Sequence, residues 1–253
     1  MFRRNGAMSK AKKRGIILLS IFIGVILAAS LTFYIVFDVK NWQKLDASRL
    51  TVLAQTSTLY DRQENIITTL KGSENRTLVT IDDIPLHTQQ AFIAAEDVRF
   101  YEHSGIDVYR IFGALRSNLQ SGSLAEGAST ITQQLAKLTH LSSEKTLRRK
   151  LEEIYLAFQI ERAYSKNEIL TMYLNTVYFG RGAYGIQAAA QAYFGVDAKD
   201  LTVAQSACLA AIIKAPSVYA PHISPESNKN RRNYILNVMY ENDFISFSAM
   251  KDA

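Results

Sequence analysis

Four stretches of the chain carry side chains whose types and spacing could do chemistry together. The first is Glu96-Asp97-Val98-Arg99-Phe100-Tyr101-Glu102-His103-Ser104-Gly105, where two acids follow the apolar run Ala91-Phe92-Ile93-Ala94-Ala95. A carboxylate held against apolar surface has its charged form disfavoured, which makes it a better proton acceptor near neutral pH. The competing reading is a helix-end carboxylate paired with Arg99. The second stretch is Gly127-Ala128-Ser129-Thr130-Ile131-Thr132-Gln133-Gln134-Leu135-Ala136-Lys137. Here a glycine leads into hydroxyls and amides that begin a helix. Free backbone N–H groups, side-chain donors and Lys137 together suit an anionic, oxygen-rich ligand. An ordinary Ser/Thr-capped helix fits the same residues.

The third stretch is Lys145-Thr146-Leu147-Arg148-Arg149-Lys150-Leu151-Glu152-Glu153. On a helix, Leu147, Leu151, Ile154 and Phe158 make one apolar face. Lys145, Arg149 and Glu153 fall at i, i+4 and i+8 on roughly the opposite side. Such a stripe reads either as a phosphate clamp with an acid beside it or as solvated i,i+4 pairing. The fourth stretch runs from Lys166 through Tyr173 and Asn175 to Tyr178-Phe179-Gly180-Arg181-Gly182. It reads as mainly architectural, two helices joined by a glycine-aromatic turn. Arg231-Arg232-Asn233 lies further on, on the final helix.

The elements that must position these residues are mostly helical. Pro85 opens a helix toward Glu96, and further helices are predicted near 107–120, 129–138, 144–163, 166–176, 184–193, 202–214 and 226–241. Asp107 is a plausible cap for the second, and Thr202-Val203-Ala204-Gln205 fits a capping box. The β signal is confined to 51–81. There Thr58-Leu59-Tyr60 and Ile66-Ile67-Thr68-Thr69-Leu70 flank a turn, reading as a small hairpin, and Leu78-Val79-Thr80-Ile81 could add a short strand. After the last helix come Phe244-Ile245-Ser246 and the end of the chain.

Charge is distributed unevenly. Of 29 Lys and Arg residues, six (Arg3, Arg4, Lys10, Lys12, Lys13, Arg14) precede residue 15; the remaining 23 balance 23 acids. The net charge of +6 is therefore an N-terminal tail, which favours an anionic membrane over nucleic acid as partner. From Gly15 to Phe37 no residue is charged, long enough for a membrane-spanning helix and too long for the apolar region of a cleaved signal. The positive-inside rule places residues 1–14 in the cytoplasm, 15–37 in the membrane and the rest outside. Residues 38–57 read as a connector and 58–253 as the catalytic domain.

Several activities are disfavoured. Cys208 is the only cysteine, in an apolar run where it reads as a small buried hydrophobe. His87, His103, His140 and His222 lack zinc spacing, and no phosphate loop or dinucleotide fingerprint occurs. Ser142-Ser143-Glu144-Lys145 matches Ser-x-x-Lys, but no Lys-Thr-Gly follows, which argues against a transpeptidase site.

In order and spacing the four stretches resemble the family 51 peptidoglycan glycosyltransferases, over about residues 58–245. That family comprises monofunctional enzymes and the N-terminal half of class A penicillin-binding proteins. The hairpin around Tyr60-Asp61-Arg62 is closer to the class A proteins. Two departures stand out: Ala128 where the family usually has a second glycine, and Gly113 where many relatives carry arginine.

The resemblance implies a mainly α, lysozyme-like fold with a membrane-dipping jaw near 105–125. It also implies polymerisation of lipid II, the donor being the growing glycan on undecaprenyl pyrophosphate. Glu96 would be the general base and Glu153 the second essential acid. Lys137, Lys145, Arg149 and Lys150 would meet the pyrophosphate. Ser129, Thr130, Gln133 and Gln134 would contact substrate, with Asp97 and His103 orienting the Glu96 loop. Glu153 would organise the cations or a divalent metal (Mg or Mn) at the donor pyrophosphate, although nothing in the sequence requires a cofactor. Implied partners are lipid II, lipid-linked glycan, membrane lipid and other cell-wall synthesis proteins. Two alternatives stay open: a lysozyme-like hydrolase, which has little use for a cationic cluster, and a non-catalytic anchored scaffold.

Overall fold

A computed structural model describes residues 10–53, 57–64, 66–70, 75–121, 129–142 and 144–253. Arg3, Arg4, Gly122, Gly127, Ala128 and Ser143 lie outside the described residues. The chain divides into two compact units, Met1–Gln43 and Lys44–Ala253.

The first unit is one helix, α1 (Lys10–Val36), and the short turn after it. Its stretch Gly15–Val36 has a mean hydropathy of 2.7 and is long and apolar enough to cross a membrane. Four of the basic residues occupy its first turns. At its end the Trp42 indole N–H donates to the Phe37 carbonyl at 2.9 Å, and its ring sits edge-on to Phe33.

The second unit is mainly helical. After a short helix α2 (Ser48–Thr51), β1 (Ser57–Tyr60) and β2 (Ile66–Leu70) run antiparallel, with Ser57 opposite Leu70. The fold class rests on the helices that follow: α3 (Leu86–Glu96), α4 (Val108–Ser121), α5 (Ile131–His140), α6 (Leu147–Ala163), α7 (Lys166–Thr176), α8 (Ile186–Phe194), α9 (Val203–Ile212), α10 (Pro216–Tyr219), α11 (Pro225–Glu241) and α12 (Phe247–Asp252). Local chemistry explains their starts. Thr130, Ser165 and Thr202 each accept the N–H three residues on, and Gln133, Glu168 and Gln205 reach back to complete capping boxes. Asp107 caps α4 by accepting the Arg110 N–H at 2.8 Å. Prolines occupy the first turns of α10 and α11.

Two helix groups position the site. In one, α3 packs against α9 and α11; in the other, α5 packs against α6 and α7. The core fills both, with Phe92, Phe100, Phe179, Leu135, Leu156, Ile160, Ile169 and Leu170 removed from solvent. Phe92 and Phe179 meet edge to face at 5.8 Å. Gly185, at φ 81°, lies so close to Asn175 that a Cβ would stand 2.8 Å from its carbonyl oxygen, so only glycine fits this turn.

Three expectations differ from the structure. Leu78-Val79-Thr80-Ile81 does not form a strand. Its backbone satisfies itself instead on the Asn175 side chain, which accepts from the Val79 N–H at 3.1 Å and donates to the Val79 carbonyl at 2.8 Å. The helix near 226–241 is not the last one, because Ser246 caps α12 by accepting the Ala249 N–H. The apolar face assigned to α6 is not its buried face: Leu151 and Ile154 are half-buried and Leu147 and Phe158 are 65% and 44% exposed, while Glu153, Leu156, Ala157 and Ile160 are buried.

Candidate active site

Glu96 is the last residue of α3, whose final turns are buried through Ala91, Phe92, Ile93 and Ala94. That packing carries the carboxylate to the rim of the core, where its side chain is 15% exposed. Its Oε2 accepts from Gln134 Nε2 at 2.7 Å. Arg231 on α11 approaches Oε1 at 3.9 Å, and Arg110 on α4 donates to the Glu96 main-chain carbonyl. Burial pushes the Glu96 carboxyl up from its ordinary value, against the opposing effects of the Gln134 bond and of Arg231, Arg110 and Lys214. The result is a carboxylate readier to take a proton than an exposed one. Pairing with Arg99 is not its arrangement, since Arg99 bonds Asp107 through two guanidinium nitrogens.

Asp97 and His103 come together beside it. Asp97 is buried, with His103 Nε2 at 3.0 Å and the Ile131 N–H donating to Oδ2 at 3.0 Å. Asp97 thereby ties the end of α3 to the start of α5. That start is crowded: Thr130 accepts the Gln133 N–H and donates to the Gly105 carbonyl at 2.7 Å, and the Gln133 side chain returns to the Thr130 N–H at 3.1 Å. Thr130 and Gln133 are therefore buried capping residues and not exposed contacts, and three N–H groups at the helix start, those of Thr130, Ile131 and Gln133, are already engaged. Ser129, Gln134 and Lys137 face outward into a cleft.

The opposite wall of that cleft is α6. Glu153 is 2% exposed, yet both of its oxygens are met by cations: Arg149 Nη1 at 2.7 Å on Oε2, and Lys150 Nζ on Oε1. Lys150 also donates to Ser129 Oγ at 2.8 Å, joining α6 to the segment that leads into α5. The i,i+4 pair Arg149–Glu153 is thus a partly desolvated cluster, not a solvated surface pair. Lys145 precedes the helix, is exposed and does not line the cleft.

The cleft has a volume of about 770 Å³ and gathers six cations, Arg110, Lys137, Arg149, Lys150, Lys214 and Arg231, against the two carboxylates Glu96 and Glu153. A second hollow of about 480 Å³ shares Ala95, Glu96, Arg110 and Tyr234 with it and continues past Arg99, Asp107 and Tyr109. Glu96 stands in the wall common to both. One side suits a polyanionic group, and the other has mixed charge.

A family model for transglycosylases matches residues 63–240. The chain belongs to that family. It is 45% identical over 252 residues to penicillin-binding protein 1A/1B of Bacillus subtilis (strain 168), covering 99% of this chain and 27% of that protein. It is 43% identical over 239 residues to penicillin-binding protein 1F of the same organism, covering 94% and 33%. With penicillin-binding protein 1A of Neisseria lactamica it shares 47% over 196 residues, covering 78% and 24%. The chain thus spans about a quarter to a third of the length of these relatives. A solved structure of penicillin-binding protein 1A from Haemophilus influenzae aligns with 79% of this chain and 20% of its own, at a TM-score of 0.44 and 23% identity.

For this transglycosylase-family chain, the structure brings Glu96, Gln134, Ser129, Lys137, Arg149, Lys150 and Glu153 to one cleft. Sequence reasoning placed Arg231 only as part of a late helix and did not single out Lys214 or Tyr234. Nothing local links them to Glu96, because α11 and α9 reach it only through tertiary packing. Metal binding has weak support from the donor set. Among the described residues no three His, Cys, Asp or Glu side chains gather, and a cation at Glu153 would have to displace Lys150 or Arg149.

Proposed function

We propose that this domain is a peptidoglycan glycosyltransferase that extends β-1,4 glycan strands from lipid II, with inversion and release of undecaprenyl pyrophosphate. The observation that carries the reading is the joint placement, in one cleft, of a carboxylate with raised proton affinity and six cations. Glu96 takes the proton from the acceptor 4-hydroxyl as that oxygen attacks C1 of the donor. The C1–oxygen bond to pyrophosphate breaks on the opposite face, and the negative charge of the leaving group develops among Arg149, Lys150, Lys137, Lys214 and Arg231. Arranged cations stabilise that charge without reorganising, which is where most of the rate acceleration arises.

A glycan hydrolase fits less well. It needs an acid to protonate a sugar leaving group and, commonly, a second carboxylate free to act as base or nucleophile. Glu153 has both oxygens occupied by cations. The two-lobed, lysozyme-like arrangement belongs to the same proposal, with α4 as the jaw. Its exposed Val108, Tyr109, Ile111 and Phe112 would meet lipid, while the Leu115 and Leu119 side chains lie outside the described residues. Helix α1 would anchor the chain, its basic N-terminus in the cytoplasm and the domain outside.

The test is polymerisation of lipid II by the purified full chain in detergent, with Glu96→Gln alongside. Strand synthesis by the wild type and none by the variant is expected. A protein that shortens finished glycan but builds none from lipid II overturns the proposal.

A further inference from the structure

Behind Glu96 lies a residue from the fourth stretch, which reads in sequence as mainly architectural. Tyr173, in the middle of α7, is 0% exposed, and its ring is among the largest fully buried side chains. Its hydroxyl donates to Gln134 Oε1 at 3.3 Å, and Gln134 Nε2 donates onward to Glu96 Oε2 at 2.7 Å. A primary amide has one accepting end and one donating end. A phenol proton on the accepting end fixes which end faces Glu96. Turned over, the amide would set an oxygen lone pair against a carboxylate oxygen, an arrangement tolerated only when Glu96 carries a proton.

We propose that Tyr173 is a positioning residue which, by locking the Gln134 amide with its nitrogen toward Glu96, holds that carboxylate deprotonated and ready to accept a proton. This rests on the reading of Glu96 as the general base. The phenol is suited to the part. Burial, together with the negative charges of Glu96 and Asp97, pushes its ionisation well above the ordinary value, so it remains a donor wherever the enzyme works. The other groups facing Glu96 are Arg110 from α4, Arg231 from α11 and Lys214 just after α9. All three lower the cost of ionising Glu96 through their charge, without selecting an amide orientation. Tyr173 is the described group that does.

The experiment is a double-mutant cycle on the full chain in detergent, with initial rates of lipid II polymerisation measured from acid to alkaline pH. Tyr173→Phe removes one oxygen and keeps the packed ring. The expected result is a kcat loss of about tenfold with KM nearly unchanged, and an acidic limb displaced upward by about half a unit to one unit. In a Gln134→Ala background the same change is expected to cost less than about twofold, because the relay it serves is already gone. A limb that stays in place, or an equal loss in both backgrounds, overturns the proposal, the second outcome marking a packing role. Melting temperatures of all four proteins are recorded beside the rates. If the wild type builds no strands, or Glu96→Gln builds them normally, the base assignment itself falls. If those controls behave and the Tyr173→Phe limb does not move, only the relay falls.

Discussion

Among the described residues, Glu96 receives one side-chain hydrogen bond, from the neutral amide of Gln134, with Arg231 standing off at 3.9 Å. Across the same cleft, Glu153 has a cation on each oxygen. Identical side chains have been put in opposite surroundings, and their capacities separate accordingly. The sparsely partnered carboxylate has proton affinity to spare. The saturated one instead holds Arg149 and Lys150, which would otherwise repel, side by side facing the cleft. Under the proposed function, one acid would act on a proton and the other would serve as counter-charge for the groups that receive a leaving anion.

Breaking the first half of that contrast should have the largest effect. Glu96→Gln keeps shape and hydrogen bonding but cannot take a proton, so polymerisation should fall by about a thousandfold or more in a continuous lipid II assay. Breaking the second half should cost about a hundredfold in rate. Glu153→Gln leaves two cations without their counter-charge, and should also destabilise the fold by about 3 kcal/mol in denaturant titration.

The contrast can also be sharpened through stability. Because the Glu96 carboxyl is raised, the folded state holds that proton more tightly than the unfolded chain does. Stability is then fully present below the ordinary carboxyl value and is lost as pH rises through the raised one. Glu96→Gln should therefore melt about 2 °C above the wild type at alkaline pH, and the difference should close on acidification. The smallest effect belongs to Lys145, which is exposed and outside the cleft: Lys145→Ala should change the rate by less than about twofold.

What could be read from the sequence divides along the same physical lines. Capping boxes at Thr202/Gln205 and the Asp107 cap were legible because they depend on residues three apart. The gathering of Glu96, Lys137, Arg149, Lys150 and Glu153 about one cleft was an expectation carried by the resemblance of their stretches to a known family. The sidedness of α6 was not legible. An apolar stripe normally faces a core, but here Glu153 and its cations line the cleft while Leu147 and Phe158 face outward. Thr130 and Gln133 read equally as ligand contacts or as a cap, and only burial separates those roles. Arg231 and Tyr173 reach the Glu96 site across helix packing that leaves no short-range signature.

Helix α5 has one more property worth drawing out. Its first N–H is held by Asp97, and at its far end the His140 ring meets the backbone of Asp46. Between those moorings it presents Gln134 to Glu96 and Lys137 to the cationic cleft, three residues and about 4.5 Å of rise apart. The segment behaves as a rod cut to length. One inserted residue would swing everything after it by about 100° and carry Lys137 off the cleft while leaving Gln134 in place. Substitutions along this rod can be tried one at a time, but its register can neither gain nor lose a residue without parting the Gln134 contact to Glu96 from the place of Lys137 in the cleft.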